Sequence, residues 1–415
     1  MSENKKKQLV PRLRFPEFRE AAEWACAPLG RLFSERQEVG FTNLPLLSLM
    51  DKEGIIPQED TNRKNNSSAD KSKYLRVVPG DIAYNTMRMW EGRSAYAGLE
   101  GLISPAYTVC VPGDGINGIY FSYQFKTASL IREFRRYSQG LVKDTLNLKF
   151  ETFSRIEIPY PVDAQEQQKI AGCLSSLDNL IAAETQKLDT LKTYKEGLMQ
   201  QLFTREGETV PRLRFPEFRE TGEWEKVSLQ RVIEIASGQV DPTKPPYCDL
   251  PHVGGENIEA GTGKLLNLRT AKEDGVISGK YAFDEHDILY SKIRPALNKV
   301  AAPDISGVCS ADVYPIRPCC EMLRREFLVY LLRSESFVKY ATKHSGRGKI
   351  PKINREDLFA YDAMLPTPAE QEYIASFLSS LDERINLQSQ KLEDLQSHKI
   401  GLMQQLFPAL DEVDA

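Results

Sequence analysis

The sequence predicts an α+β fold: two globular domains of mixed α/β structure in tandem repeat, separated by two long helices that form an antiparallel coiled coil. Three observations lead to this prediction. The segment VPRLRFPEFRE at residues 10–20 returns unchanged at 210–220, an identity too long for chance. A leucine-rich segment follows each copy at a similar interval. Between these segments, short apolar runs alternate with Gly, Pro and Asp turns, which is typical of strands in mixed domains.

The two leucine-rich segments predict the helices. Residues 165–203 carry apolar residues at spacings of four and three, which indicates an amphipathic helix roughly 55–60 Å long with a heptad seam. Residues 371–407 repeat the pattern and share LSSLD and GLMQQLF with the first copy. The predicted spacer seam comprises Ile170, Leu174, Leu177, Ile181, Leu188, Leu191, Leu198, Leu202, Ile374, Leu378, Leu381, Ile385, Leu392, Leu395, Leu402 and Leu406.

Polar residues interrupt both seams at the same two places and indicate the direction of pairing. Glu184 and Lys195 interrupt the first seam, and Gln388 and Lys399 interrupt the second. A parallel pair in register would press Lys195 against Lys399 in an apolar seam. We therefore predict an antiparallel pair, in which leucines lie opposite each polar residue and the lysines reach solvent.

The repeat divides the chain into four predicted segments. Residues 1–160 form a leader and the first globular domain, and 161–206 form the first spacer helix. Residues 207–365 form the second leader and domain, and 366–415 form the second spacer helix with a C-terminal tail. The leaders are rich in Pro, Phe and Arg, which predicts an extended link that docks its phenylalanines.

Each domain contains candidate strands and a helix in the same order. The two domains share this order but little of their sequence, whereas the leaders and helices are closely alike. The helices are thus expected to do one task twice, and the domains to do two versions of one task. The predicted elements are strands at Tyr74–Val78, Asp81–Tyr84, Ala106–Val111 and Ile156–Pro159, and helices at Tyr120–Tyr137 and Phe327–Tyr340.

Composition limits the class of protein. The chain has 415 residues, enough for two or three domains, and a net charge of −4. No apolar run approaches the roughly 20 residues that a membrane span needs, and the polar start predicts no secretory signal. The seven cysteines are scattered and only four histidines are present, so neither a zinc site nor any other metal site is expected. These features predict a cytoplasmic protein.

The charge is unevenly distributed along the chain. Residues 366–415 carry nine acidic and three basic residues, whereas residues 1–160 carry more basic than acidic ones. The globular parts therefore allow a nucleic acid partner, while the acidic helices favour protein partners.

No catalytic residues are predicted. The segment Lys244-Pro245-Pro246-Tyr247 resembles a methyltransferase loop, but lysine at its first position cannot accept a hydrogen bond from a target amino group. Gly261-Thr262-Gly263-Lys264 is not a phosphate-binding loop. Ile258 stands where the loop needs its first glycine, and Leu265 stands where it needs Ser or Thr. No other nucleophile or metalloprotease motif is present.

Basic and aromatic residues recur at matched positions in the two domains and predict contacts with DNA. One group follows a strand in each domain, and a second follows the domain helix. Arginine and lysine can pair with the guanine edge, asparagine can read adenine, and glycine beside basic residues suits a loop on phosphates. The candidates are Lys71, Lys73, Asn85, Arg88, Trp90, Arg93, Lys143, Ser291, Lys292, Arg294, Asn298, Lys299, Arg347 and Lys349. Weaker candidates are Asp51, Lys52, Glu256 and Asn257.

A set of short motifs extends over nearly the whole chain. They are the leader Leu13–Phe18, the segments Gly80–Ile82 and Ser104–Tyr107, the start of the helix at Ile158–Gln167, and its end at Gly197–Phe203. The second copies are Leu213–Phe218, Leu365–Gln371 and Gly401–Phe407. In these motifs the chain resembles the specificity (S) subunit of type I restriction–modification systems, the HsdS family. The second domain departs from the pattern at His286 and at Ser310-Ala311-Asp312.

The resemblance implies that each globular domain is a target recognition domain that reads one half of a split, asymmetric site in double-stranded DNA. It further implies that the helices set the spacing and dock two methyltransferase (M) subunits, and that restriction (R) subunits can join. The chain itself would be non-catalytic and would bind no cofactor. S-adenosylmethionine would belong to the methyltransferase subunit, and ATP with magnesium to the restriction subunit.

Two alternatives remain open from sequence. The chain is a non-catalytic scaffold whose domains bind proteins, or it is an enzyme that acts alone on DNA. DNA binding at low salt distinguishes the first alternative from the specificity subunit, and turnover by the purified chain distinguishes the second.

Overall fold

The computed structural model describes residues 10–50, 54–61, 67–68, 70–346 and 350–408. The chain divides into two compact units. Unit 1 comprises residues 1–185 and 390–415, and unit 2 comprises residues 186–389. Each unit thus contains one leader and domain, the first half of the helix that follows that domain, and the second half of the other long helix. These units cross the boundaries of the four segments predicted from sequence, which remain a prediction.

Unit 1 is a mixed domain of short strands and helices. Its main sheet has the antiparallel order β2-β9-β6-β7, and β1 pairs with β10. A second layer contains the hairpin β3-β4 and the pair β5-β8, linked by a parallel bridge between Leu46 and Leu102. The elements are β1 (Ala25–Pro28), α1 (Leu29–Leu32), β2 (Phe33–Arg36), β3 (Leu47–Met50), β4 (Gly54–Pro57), β5 (Leu75–Val77), β6 (Ile82–Asn85), β7 (Ser94–Tyr96), β8 (Gly101–Ile103), β9 (Tyr107–Pro112), α2 (Gly118–Gln124), α3 (Ala128–Tyr137), α4 (Phe150–Phe153), β10 (Glu157–Tyr160) and α5 (Ala164–Leu202, whose second half lies in unit 2).

Unit 2 repeats this architecture. Its main sheet has the order β12-β19-β16-β17, its second layer has the order β14-β13-β18-β15, and β11 pairs with β20. Strands β13 and β18 are parallel, in the place of the bridge in unit 1. The elements are β11 (Glu225–Ser228), β12 (Ile233–Ile235), β13 (Pro251–Val253), β14 (Arg269–Thr270), β15 (Tyr281–Phe283), β16 (Ile288–Ser291), β17 (Val300–Ala301), β18 (Gly307–Cys309), β19 (Val313–Pro318), α6 (Arg325–Arg333), α7 (Glu335–His344), α8 (Arg355–Phe359), β20 (Asp362–Leu365) and α9 (Pro368–Leu406, whose second half lies in unit 1).

The predicted strands are confirmed within one or two residues, but each predicted domain helix is two helices. In unit 1 the helix breaks at Thr127, and in unit 2 it breaks at Ser334. Both residues have extended backbone angles, and their hydroxyls donate to Gln124 O and Leu331 O at 2.8 and 2.7 Å. The Ser334 hydroxyl also caps α7 by accepting from Phe337 N. A hydroxyl side chain bonded to backbone competes with a continuous helix, which explains the break.

The long helices run antiparallel within each unit, as predicted. In unit 1, Lys391 pairs with Glu184, and Lys399, two turns further along α9, pairs with Asp178, two turns earlier in α5. In unit 2, the corresponding pair is Lys195 with Asp382. All sixteen predicted seam residues are buried or half-buried.

The partners of the seam lysines differ from the prediction. Lys195 and Lys399 each form an ion pair with an aspartate on the other helix. Burial lowers the pKa of Lys195, and Asp382 partly offsets this effect. Asp382 also accepts a hydrogen bond from Tyr330 at 2.8 Å, and Asp178 accepts one from Tyr123 at 2.7 Å. These ion pairs were not predicted, because Asp178 and Asp382 lie beside the seam and not in it.

A buried ion pair joins each leader to the start of a long helix. Arg14 makes two hydrogen bonds to Glu166, at 2.8 and 2.7 Å, and the indole of Trp24 donates to the same carboxylate at 3.2 Å. The carboxylate is 1% exposed. In unit 2, Arg214, Trp224 and Glu370 repeat the arrangement at 2.8, 2.7 and 3.3 Å.

The glutamine after each of these glutamates holds the domain. Gln167 Nε2 donates to Gly115 O and Pro161 O at 3.2 and 2.8 Å, and its Oε1 accepts from Asn117 N at 2.8 Å. Gln371 makes the matching three bonds in unit 2. The Glu-Gln pair therefore fixes the leader with one side chain and the loop before the domain helix with the other.

Each hydrophobic core includes the end of a long helix from the other repeat. In unit 1, Leu406 and Phe407 pack with Trp24 and with Tyr120, whose ring centroid is 5.4 Å from that of Phe407. In unit 2, Leu202 and Phe203 have the same place, and Phe203 stacks on Phe327 at 5.3 Å. The segment GLMQQLF thus contributes to a core at both of its occurrences.

We expect Glu370→Ala to destabilise the protein by about 3–5 kcal/mol, because it leaves Arg214 buried without its counter-charge. The matched control is Glu372→Ala in the same helical turn. Glu372 pairs with Arg324 at 2.9 Å but is 61% exposed, so its loss costs less than about 1 kcal/mol. Urea unfolding followed by tryptophan fluorescence measures both. Equal losses in the two variants would contradict the structural role assigned to Glu370.

Candidate DNA-binding surface

The turn after β6 carries most of the candidates in unit 1. Asn85 ends the strand, and its side-chain oxygen accepts from Met87 N at 2.9 Å, which starts the turn. A 3-10 turn follows at Met89–Glu91, with Met89 fully buried beneath it. Arg93 O then accepts from Asn85 N at 3.0 Å and closes the turn. Met87 and Arg88 are left exposed at its tip.

Two further loops join this turn at Thr86. Its backbone N–H donates to Ala106 O at 3.2 Å, in the loop before β9. Its carbonyl accepts from Leu148 N at 2.8 Å, after the loop that follows α3. The strand pairings place Lys73, just before β5, at this end of the domain as well. The predicted loops are therefore brought together at one end of unit 1.

Unit 2 has the same junction of three loops. Lys292 occupies the position of Thr86: its N–H donates to Asp312 O at 3.0 Å, and its carbonyl accepts from Ile353 N at 3.1 Å. Ser291 N donates to Lys299 O at 3.1 Å, as Asn85 N does to Arg93 O. The loop before α8 and the loop before β19 therefore meet the turn after β16, as their counterparts do in unit 1.

This correspondence places Arg88 and Arg294 at equivalent positions. Each is exposed and directly precedes a 3-10 turn whose first residue, Met89 or Pro295, is buried. Arg294 has φ of 49°, a left-handed conformation that is uncommon for residues other than glycine. Its N–H donates to Pro351 O at 2.8 Å, which holds this backbone in place. Fixed backbone beneath an exposed arginine suits a side chain that recognises a ligand in one orientation.

The electrostatic surroundings of the two arginines differ. In unit 1, Glu91 lies 3.4 Å from Arg88 and 3.4 Å from Arg93, in a cluster exposed to solvent. In unit 2, Leu297 stands at the position of Glu91 and is 44% exposed. Arg294 thus has an apolar neighbour where Arg88 has an acidic one, so the two turns present different chemistry from the same frame.

The side chains of the other candidates in unit 1 differ in how many contacts they make with neighbouring residues. Lys71 donates to Ser67 Oγ at 2.6 Å and lies 4.8 Å from the ring of Tyr74, so it stabilises its own loop. Trp90 is half-buried, and its indole donates to Met87 O at 3.0 Å. Lys73 and Lys143 are exposed.

Four candidates of unit 2 hold the loops together. Ser291 is buried. The amines of Lys292 and Lys299 donate to Ala311 O and Gly255 O at 2.8 and 2.6 Å, and Asn298 donates to Arg333 O at 3.2 Å. The polar groups of Lys292, Lys299 and Asn298 are thus bonded to backbone carbonyls of neighbouring segments. Direct DNA contact by these residues stays a prediction. Arg347 and Lys349 lie outside the described residues, as do Asp51 and Lys52.

The weaker candidates Glu256 and Asn257 differ in exposure and in their hydrogen bonds. Glu256 is exposed. Asn257 is 9% exposed; its side chain accepts from Gly254 N at 2.8 Å and donates to Leu266 O at 3.0 Å. It is therefore a structural residue of the loop after β13.

Several exposed residues at these ends were missed from sequence. Lys352 is exposed and lies beside the second turn, because Ile293 and Lys352 form a β-bridge. Leu141 and Val142, in the loop before Lys143, are 101% and 60% exposed. Leu141 and Val142 were overlooked because only basic, polar and aromatic residues were considered as DNA contacts. Lys352 is recognisable only when the loop before α8 is known to meet the turn after β16.

The strand residues behind the two turns are buried tyrosines. Burial raises the pKa of Tyr84 and of Tyr290. Both phenols therefore remain neutral, and each packs on an aromatic ring: Phe153 at 5.1 Å and Phe337 at 5.7 Å. These rings support the turns from below.

Neither a metal cluster nor a membrane helix is found in the part of the chain that the structure describes. No group of three or more His, Cys, Asp or Glu residues there is arranged to hold a metal ion. Within the same residues, no helix is long and apolar enough to span a membrane.

Comparisons with known proteins agree with this architecture. The family described as "Type I restriction modification DNA specificity domain" matches residues 95–193 and 221–397, more than half of the chain. The EcoDI specificity subunit of Escherichia coli is 32% identical over 170 residues, which cover 39% of this chain and 37% of that subunit. The MjaVIII specificity subunit of Methanocaldococcus jannaschii is 25% identical over 379 residues, which cover 86% of each chain.

Solved structures share the fold. The S subunit of a type I restriction–modification system from M. genitalium superposes with a TM-score of 0.57 at 14% identity, over 96% of this chain and 99% of that one. A chain from a structural study of complex assembly in a type I R-M system superposes with a TM-score of 0.55 at 14% identity, over 92% and 97% of the two chains. By the match of the family to both repeats, this chain belongs to the type I restriction modification DNA specificity domain family.

Proposed function

We propose that the chain is the specificity subunit of a type I restriction–modification complex, and that its two domains read the two halves of an asymmetric, bipartite site in duplex DNA. The observation that carries this proposal is the equivalence of Arg88 and Arg294. Both are exposed at the tip of the same three-loop junction, one in each unit. An arginine in a fixed position can pair with guanine through two hydrogen bonds. The different neighbours of the two arginines favour different half-sites.

The helix pair is proposed to act as a spacer and a docking surface. Its acidic composition disfavours tracking along phosphates and suits contacts with two methyltransferase subunits. If both domains face one side of B-DNA, the centres of the half-sites lie about 10–11 bp apart. The domains carry little net positive charge, so partner subunits are proposed to supply much of the non-specific affinity.

Chemistry is proposed to reside in those partners. S-adenosylmethionine would be bound by the methyltransferase subunits, and ATP with magnesium by restriction subunits where these are present. The chain itself would recognise DNA in the cytoplasm without catalysing a reaction.

Exchange of residues 221–365 for the corresponding segment of another family member is expected to change one half of the methylated motif. The other half stays unchanged, because unit 1 keeps its own loops. Methylome sequencing of cells that carry the chimera and its methyltransferase partner measures the outcome. A change in both halves, or in neither, would refute the model of two independent readers. Absence of DNA binding at low salt by the assembled complex would instead favour a protein scaffold.

Arg294→Ala is expected to weaken discrimination at one base pair by about 1–3 kcal/mol and to leave the half-site read by unit 1 unchanged. Arg88→Ala has the reciprocal effect. Competition binding with single-base variants of the methylated motif measures both. Arg231→Ala and Arg31→Ala are the controls, because these exposed arginines lie at the opposite ends of the main sheets. A uniform loss across all sequences would assign Arg294 to phosphate contact.

Leu191→Asp with Leu395→Asp is expected to abolish co-purification with the methyltransferase subunit, because each charge enters the half-buried helix seam at a cost of several kcal/mol. The control is Leu180→Asp with Leu387→Asp on the same two helices, where the leucines are 42% and 65% exposed. Intact assembly of the seam variant would argue against the spacer.

A further inference from the structure

An open groove lies in unit 1 between the first leader and the start of α5. It has a volume of about 1110 Å³, and its lining includes Phe18 and Ala21 from the leader and Gly172 and Cys173 from the helix. A Cβ atom added to Gly172 would meet nothing within 4 Å. These four residues form an apolar floor that is open above Gly172, and Gln165, Gln168 and Ser176 also line the groove.

The same place in unit 2 is covered by aromatic side chains of the chain itself. Tyr373 packs on Phe215 and Phe218, with ring centroids 4.6 and 5.6 Å apart, and Phe377 packs on Phe215 at 5.3 Å. In the repeat alignment of the long helices, Lys169 stands at the position of Tyr373.

Unit 1 keeps the aromatic residues of the leader but lacks the two aromatic residues of the helix that pack on them in unit 2. The leader has the same phenylalanines in both copies, Phe15 and Phe18 in unit 1. The helix supplies Lys169 and Cys173 where unit 2 has tyrosine and phenylalanine. The amine of Lys169 lies 2.8 Å from Glu17 and 5.6 Å from the ring of Phe15, so it lies to one side of the groove.

The rim of the groove is acidic. Glu17, Glu20 and Asp163 line it, against one basic residue, Lys169, that is already paired with Glu17. In unit 2 the position of Asp163 is the neutral Thr367. An apolar floor with an acidic rim excludes a phosphate ligand and complements an apolar side chain flanked by positive charges.

We infer that this groove binds a segment of a partner protein that places an aromatic side chain against Phe18, with lysine or arginine on either side. The bound ring takes the place that Tyr373 and Phe377 fill in unit 2. Edge-to-face packing between aromatic rings supplies the contact, as it does within unit 2. Unit 1 and unit 2 therefore offer a partner two different surfaces. If the proposed function is right, the two methyltransferase subunits dock unequally, and the one at unit 1 depends on this groove.

The test uses the full chain and two peptide probes of equal charge. One is a pentapeptide amide with four lysines around a central phenylalanine, and the other has alanine at the centre. Binding is measured by saturation-transfer NMR and competition. The phenylalanine peptide is expected to bind at least tenfold more tightly than the alanine peptide. Equal binding of the two peptides, or none, would overturn the inference.

Two reciprocal variants locate the binding. Lys169→Tyr with Cys173→Phe gives unit 1 the side chains of unit 2. This filled variant is expected to bind the phenylalanine peptide at least tenfold more weakly. Tyr373→Lys with Phe377→Cys opens unit 2 and is expected to create a second site. Circular dichroism melts establish that both variants fold. Unchanged binding by the folded filled variant would show that the peptide binds elsewhere, which would contradict the inference.

Native mass spectrometry with the methyltransferase subunit separates this inference from the proposed function. We expect the wild-type chain to bind the subunit in two steps of unequal affinity. The variant with Lys169→Tyr and Cys173→Phe is expected to lose at least tenfold in affinity at one of these steps. If the wild type assembles and the variant with Lys169→Tyr and Cys173→Phe binds the subunit equally well, the subunit does not dock in the groove. The proposed function would then stay intact. Failure of the wild type to assemble would count against the proposed function, and the peptide measurements would then decide the groove alone.

Discussion

The buried carboxylate at the start of each long helix is the interaction on which the rest of each unit depends. Glu166 and Glu370 are both 1% exposed, and each is bound by an arginine of the leader and by the first tryptophan of the domain. The following glutamine bonds to the loop before the domain helix. Leader, domain and long helix are thereby fixed to one another within two residues. A buried carboxylate without these partners would be strongly unfavourable, so the parts of the unit must assemble together.

Rigid frames of this kind allow the loops at the far end of the domain to differ. The junction at Thr86 and Lys292 is made by backbone hydrogen bonds, which do not depend on side-chain identity. Side chains there are free to change without loss of the frame. In unit 2 some of these side chains, such as Lys299, have become loop supports. A basic residue in a candidate loop can thus determine specificity through the shape of the loop as well as by contact.

The internal repeat provides a comparison that a single domain cannot. Differences between the copies at equivalent positions, such as Glu91 against Leu297, show where the two units present different side chains from the same frame. The replacement of Tyr373 by Lys169 lies at the opposite end of the domain from the loops, beside the leader. An acidic rim is a poor surface for DNA, so divergence there agrees with the protein partner that we propose for the groove.

Local sequence signals were enough to predict the duplication, the two long helices, their antiparallel direction and the family. These signals are an eleven-residue identity, heptad periodicity, matched polar interruptions of the two seams, and short motifs. The sequence also indicated that the loops after β6 and β16 are matched. The break of the domain helix at Ser334 was missed, since serine is tolerated within helices and only its backbone bond to Leu331 shows the end of the helix.

Tertiary structure alone decided which basic residues remain exposed. Lys292 and Arg294 are two positions apart in sequence, yet one amine is bound to Ala311 O while the other side chain lies exposed at the tip of the turn. The pairing of Lys195 with Asp382 likewise depends on residues 187 positions apart. Such contacts are long-range, so no local pattern encodes them. They arise only when the helices and loops pack together.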